Sequence, residues 1–220
     1  MNISNNILRQ CLKDVYFING TAYAGKSTMC KLLAEKHNMI LCGENYNIDE
    51  FLAMADRRYQ PHLCYQRTDW QAFLNRSPEE YADWIFGSAR EMAEFEVAHL
   101  LRLSSQRRPI IVDTNIPIDL LKEIAGYHQV AMMLSPQAMS LDRFFERDDP
   151  EKQFLLEQIQ KADDPAKTMA NVRACLARVN SPEQYDEFLH SGFFVLVREE
   201  GEKDTKAEML SALESHFQLV

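Results

Sequence analysis

The residues best suited to chemistry lie in one stretch, Gly20-Thr21-Ala22-Tyr23-Ala24-Gly25-Lys26-Ser27-Thr28. It meets the spacing G-x-x-x-x-G-K-[ST] in full. Two glycines let the main chain curl so that its N–H groups point at phosphate oxygens, and a helix starting at the end of the loop adds the positive end of its dipole. Lys26 is then placed to reach β- and γ-phosphates, and the Ser27 hydroxyl to ligand Mg2+. A glycine-containing turn is the plainer alternative. Against it, the apolar run Val15-Tyr16-Phe17-Ile18 precedes the loop and an amphipathic segment follows, which is the setting a phosphate-binding loop needs.

Other residues could complete such a site. Asp113 follows Ile110-Ile111-Val112, and three apolar residues before an acid is the pattern that holds Mg2+ beside bound phosphates; the same pattern also describes an aspartate in a turn. Arg143 and Arg147 stand four apart and share one helix face. With Asp142 and Glu146 beside them they could form an exposed ion-paired face, or a lid whose guanidiniums clamp phosphates and expel water. The broken, acidic segment Asp148-Asp149-Pro150-Glu151-Lys152 suits a moving flap.

The positioning elements follow from periodicity. Val15 to Asn19 reads as a strand buried on both faces, Lys26 to His37 as a helix with Met29, Leu32 and Leu33 on its stripe, and Met39 to Cys42 as a second strand. A short helix around Ile7 to Leu12 precedes them. From about 44 to 76 the period weakens, and Tyr46, Tyr59, Tyr65, Trp70 and Phe73 interleave with charges. That excursion is either a solvated flap or an acceptor pocket, and its place just after the second strand favours the pocket. Ser77-Pro78-Glu79-Glu80 is a capping box opening a long helix to about Leu103, with Tyr81, Trp84, Ile85, Met92, Phe95 and Leu103 near one stripe.

Strands are expected at Ile110 to Asp113, Gln129 to Leu134 and Phe193 to Val197, and a helix at Ile118 to Ala125. Further helices should start at Ser135-Pro136, about Gln153, Asp164-Pro165, Ser181-Pro182 and Asp204. Five strands alternating with helices predict an α/β fold, a five-stranded parallel sheet with helices on both faces. A single domain over 1–220 is expected, with the acceptor excursion at about 44–76 and a helical lid at about 137–163.

The formal net charge of -9 disfavours a large nucleic-acid footprint, which needs clustered Lys and Arg. With no signal-peptide core and no run near the roughly 18 apolar residues of a membrane span, the expected compartment is the cytoplasm, with no membrane partner. The five cysteines are odd in number and form no C-x-x-C pair, so reduced, mostly buried thiols are expected. The six scattered histidines read as structural.

The order of phosphate loop, acid after the second strand, long helix, apolar strand ending in Asp, and R-x-x-x-R after the fourth strand resembles the small P-loop kinases of the nucleoside/nucleotide kinase superfamily. The likeness covers nearly the whole chain as architecture, with Gly20 to Thr28 its specific part. It implies a P-loop NTPase fold and ATP-dependent, Mg2+-assisted transfer of the γ-phosphoryl group to a small acceptor, here a nucleoside or nucleotide, in a monomer or homodimer. Lys26 and Ser27 match the phosphate and Mg2+ positions, Asp113 the strand-three acid, and Arg143 and Arg147 the lid arginines.

In the deoxynucleoside and shikimate kinases a carboxylate after strand two approaches the acceptor hydroxyl. Glu44, Asp49 and Glu50 compete for that role here, with Asp49 preferred; a phosphate acceptor would instead need arginines such as Arg57, Arg58, Arg67 and Arg90. The chain departs from adenylate kinases in lacking D-G-F/Y-P-R, and from deoxynucleoside kinases in having Asp113-Thr114-Asn115 in place of D-R/E-R-S. A sugar, shikimate-like or antibiotic hydroxyl therefore stays open as acceptor, as does a non-catalytic nucleotide-binding regulator.

Overall fold

A computed structural model describes residues 3–65, 69–136, 144, 150–198 and 205–219, and only the backbone of 150 and 151. Arg67, Arg143 and Arg147, and most of the expected lid, lie outside the described residues. Five strands, β1 (Val15–Gly20), β2 (Ile40–Cys42), β3 (Ile110–Asp113), β4 (Val130–Leu134) and β5 (Phe194–Val197), form one sheet in the order β2-β3-β1-β4-β5. Every pairing is parallel.

The near-continuous apolar runs have a structural reason, since alternate residues serve opposite faces of the sheet. Val15, Phe17, Ile110, Val112, Val130 and Met132 pack on one side with residues of α5 (Pro78–Ser104) and α6 (Ile118–Ile124). Ile18, Ile111, Ala131 and Met133 pack on the other with α2 (Lys26–His37) and the helix Lys206–His216. The sheet is therefore covered on both faces, as the alternation of strands and helices predicts.

The remaining helices are α1 (Asn5–Cys11), α3 (Ile48–Met54), α4 (Trp70–Leu74), α7 (Pro150–Gln160), α8 (Pro165–Val179), α9 (Pro182–Leu189) and α10 (Lys206–His216). A third apolar cluster, Phe73, Leu74, Ile159, Val172 and Leu176, joins α4, α7 and α8 beside the sheet. Asp164 and Ser181 cap α8 and α9 through their side chains, each with proline next, as read from the sequence.

Three differences have physical causes. The excursion after β2 holds two short helices, α3 and α4, too brief to establish a period. Helix α7 starts at Pro150 rather than near Gln153, because proline in a first turn forfeits no helical hydrogen bond. In α5 the deepest residues are Ala82, Ala93, Glu96 and Leu100, while Tyr81 and Trp84 turn to the third cluster. Small alanines let the helix approach closely, and its large side chains reach sideways. The five cysteines are free thiols, with Cys30, Cys42 and Cys175 buried. Among the described residues no helix is long and apolar enough to cross a membrane.

Candidate nucleotide site

Gly20 ends β1 with φ +125, and a Cβ there would lie 2.0 Å from the Met133 carbonyl oxygen. Only glycine lets the loop leave the sheet so close to β4. Gly25, φ +92, turns the chain into the first turn of α2. The loop is tied to the neighbouring strand ends. The Thr21 N–H donates to the Met133 carbonyl (3.0 Å), the Ser135 N–H to Thr21 Oγ1 (2.7 Å), and Ser135 Oγ to the Ala22 carbonyl (2.6 Å). Arg198, the residue after β5, donates from Nη1 to the Tyr23 carbonyl (2.9 Å). Such ties pre-form the cradle, so little ordering remains for a ligand to impose.

Lys26 is buried, with Nζ against the carbonyls of Thr21 (3.1 Å) and Gly20 (3.4 Å). Ser27 Oγ donates to Asp113 Oδ2 at 2.6 Å. The sheet makes that bond possible: Ile18 is in register with Asp113, so the loop after β1 emerges beside the end of β3. Asp113 is buried, and its Oδ1 has no hydrogen-bond partner among the described residues. Burial raises its carboxyl above the ordinary range; Lys26 and the Ser27 hydroxyl pull it down, and Glu44 pushes it up. One carboxylate with an unsatisfied oxygen beside a hydroxyl, at a phosphate cradle, fits Mg2+, which takes one or two carboxylates and completes its shell with phosphates and water.

The carboxylates expected to face an acceptor occupy different places. Glu44, just beyond β2, is exposed, approached by Asn115 Nδ2 at 3.5 Å, and bears electrostatically on Asp113. Asp49 and Glu50 are exposed in the first turn of α3, where Asn47 Nδ2 donates to Glu50 (3.0 Å). Arg58 pairs with Asp56 at 3.1 Å, and Arg90 with Asp119. Lys26, Ser27 and Asp113 are thus brought together, while Asp49 stands on the neighbouring helix.

Four site residues escaped the sequence reading. Ser135 and Arg198 act at the ends of β4 and β5, and Thr114 and Glu96 lie behind Asp113. Glu96 is buried, its Oε1 without a hydrogen-bond partner among the described residues, and burial pushes its carboxyl up to about 7; a hydrogen bond from Thr114 works the other way and the Asp113 charge adds to the rise. An available signal was its spacing: Ala93, Glu96 and Leu100 recur on one face of α5, so an acid stood in the buried stripe.

The loop, the parallel sheet order and the acid at the end of β3 give this chain the α/β fold of a P-loop NTPase. No protein-family model matches the chain, and no curated protein matches it. Among solved structures it is similar to dephospho-CoA kinase from Campylobacter jejuni, with a TM-score of 0.44 and 16% identity over 92% of this chain and 97% of that one.

Proposed function

We propose that the chain is an ATP-dependent phosphotransferase that moves the γ-phosphoryl group to a small acceptor, a nucleoside or nucleotide. The observation that carries the reading is the 2.6 Å bond between Ser27 Oγ and Asp113 Oδ2, with Asp113 Oδ1 buried, close to the Lys26 charge and without a hydrogen-bond partner among the described residues. A buried polar oxygen left unsatisfied costs about 1–3 kcal/mol, and a ligand that fills it recovers that cost. In this reading the loop N–H groups and Lys26 hold the β- and γ-phosphates, and Ser27 and Asp113 hold Mg2+. The metal would supply charge neutralisation at the phosphates. The chain's own contribution is position: a cradle tied to β4 and β5, and a lysine already in place.

A carboxylate beyond β2 aligns the acceptor hydroxyl. Supporting Glu44 is its influence on Asp113; supporting Asp49 is its place in the first turn of the helix after β2. Arg143 and Arg147 are proposed as lid cations from their spacing alone.

The test is ADP release from Mg·ATP across nucleosides, nucleoside monophosphates, sugars and shikimate-like alcohols, with Lys26→Ala as the blank. Acceptor-stimulated release that Lys26→Ala abolishes, with the variant still folded, is the expected result, and Asp113→Asn should raise the Mg2+ needed for half-maximal rate. ATP binding with release indifferent to every acceptor would argue for a nucleotide-binding regulator instead.

A further inference from the structure

His62, in the excursion between β2 and α4, is held by one face of the long helix α5. The Glu91 carboxylate accepts from the His62 N–H (3.2 Å), the Leu63 N–H (2.9 Å) and His62 Nδ1 (2.6 Å). The Trp84 indole N–H donates to the His62 carbonyl at 3.2 Å. The other ring nitrogen, Nε2, stands 3.4 Å from Asp83 Oδ2. The ring itself lies against Gly87, where a Cβ would come within 2.6 Å of it. Positions 83, 84, 87 and 91 of a helix lie on one face, so a single element builds this seat.

Both ring nitrogens therefore face carboxylates, which only accept when ionised. A neutral imidazole carries one N–H, and whichever nitrogen holds it, the other turns a lone pair on a carboxylate. Only the imidazolium donates to both, and its bonds are charge-assisted. The neighbouring cations in the chain are paired elsewhere, Arg58 with Asp56 and Arg90 with Asp119. The hydrogen bond to Glu91 raises the ring above its ordinary 6.5; partial burial opposes the rise, and the Glu91 charge and the Asp83 contact add to it.

We propose that His62 is a proton-operated latch: the imidazolium locks segment 56–65 onto α5, and loss of its proton loosens that hold. A ring raised in the fold adds stability that is complete below 6.5 and is lost as pH rises through its higher folded value. The switch thus falls close to neutral pH. Glu91 still accepts the two main-chain N–H groups after the proton leaves, so the segment loosens without coming away. The segment belongs to the excursion expected to take the acceptor, and a pH-dependent acceptor region follows from that reading; the latch itself does not rest on it.

The experiment is hydrogen exchange of the full chain without ligand at about pH 6 and about pH 8.5, either side of the imidazole range, corrected for the intrinsic change in exchange rate and read on segment 56–65 against α8. Protection of the segment should fall about fivefold at the higher pH, the difference between a charge-assisted and a neutral hydrogen bond at a partly exposed site. His62→Gln, which keeps a donor for Glu91 but cannot titrate, should show no such fall. Gly87→Ala favours the helix yet pushes the ring off its seat, and at the lower pH it should bring protection down to the wild-type level of the higher pH. Unchanged protection in the wild type, the same fall in His62→Gln, or full protection in Gly87→Ala at the lower pH would overturn the proposal. None of these results bears on the nucleotide reading, which Lys26→Ala tests separately.

Discussion

Asp113 and Glu96 are two buried carboxyls, one behind the other, and each leaves an oxygen without a hydrogen-bond partner among the described residues. They differ in surroundings. Asp113 has the Ser27 hydroxyl and the Lys26 charge to offset its burial, whereas Glu96 has a Thr114 hydroxyl and the repulsion of Asp113, and is pushed up to about 7. A carboxyl raised in the fold stabilises the protein while it is protonated. That stabilisation is whole below the ordinary 4.5 and is lost as pH rises through about 7. Glu96→Gln keeps an acceptor for Thr114 and removes the ionisation. Relative to wild type it should gain stability between pH 5 and pH 8, by on the order of 2–3 kcal/mol. Urea unfolding of both proteins at the two pH values checks this, and parallel pH dependence would show that Glu96 does not titrate in that window.

Among the elements, the loop tolerates little change and the long helix more. Alanine at Gly20 would drive a methyl group into the Met133 carbonyl at a φ that L-residues rarely adopt. Gly20→Ala should therefore cost about 3 kcal/mol or more. Ser77→Ala removes one bond of the capping box at the start of α5 and should cost about 1 kcal/mol. Thermal melts of the two variants should rank in that order. The reverse order would mean that the loop yields where the Cβ contact says it cannot. The excursion after β2 is anchored to α5 by Glu91, whose carboxylate accepts from the N–H groups of His62 (3.2 Å) and Leu63 (2.9 Å) and pairs with the His62 ring at 2.6 Å. That anchor explains how a segment with little regular structure keeps a defined path near the site.

At the scale of the molecule, the sheet order assembles the site. β1 lies between β3 and β4, so the loop after β1 stands between Asp113 and Ser135, and β5 beyond β4 brings Arg198 to the same edge. Residues up to 175 positions apart in the chain meet there. Because this edge belongs to both main cores, a nucleotide bound on it should stabilise the whole fold. Mg·ATP at a hundred times its dissociation constant should add about 2.7 kcal/mol, raising the melting temperature by several degrees. Lys26→Ala should abolish the shift, and an equal shift in that variant would place the binding elsewhere.

The local features of this chain were legible because local forces decide them. The glycine turn between β1 and α2, the start and end of α2, the capping box at Ser77 and the apolar runs of β1, β3 and β4 all depend on residues within a few positions of one another. Alternation of strand and helix was enough for a parallel sheet with two covered faces. Tertiary structure decided what distance in sequence hides: that Ser27 meets Asp113, that Glu44 bears on the same acid while Asp49 sits on α3, and that Glu96 carries its carboxyl into the core beneath them. Arg198 gave no local sign of its bond to the loop, since it reaches the Tyr23 carbonyl across 175 positions of chain. Spacing along the backbone specifies a loop or a helix, but strand pairing and side-chain packing determine which charges share a buried volume.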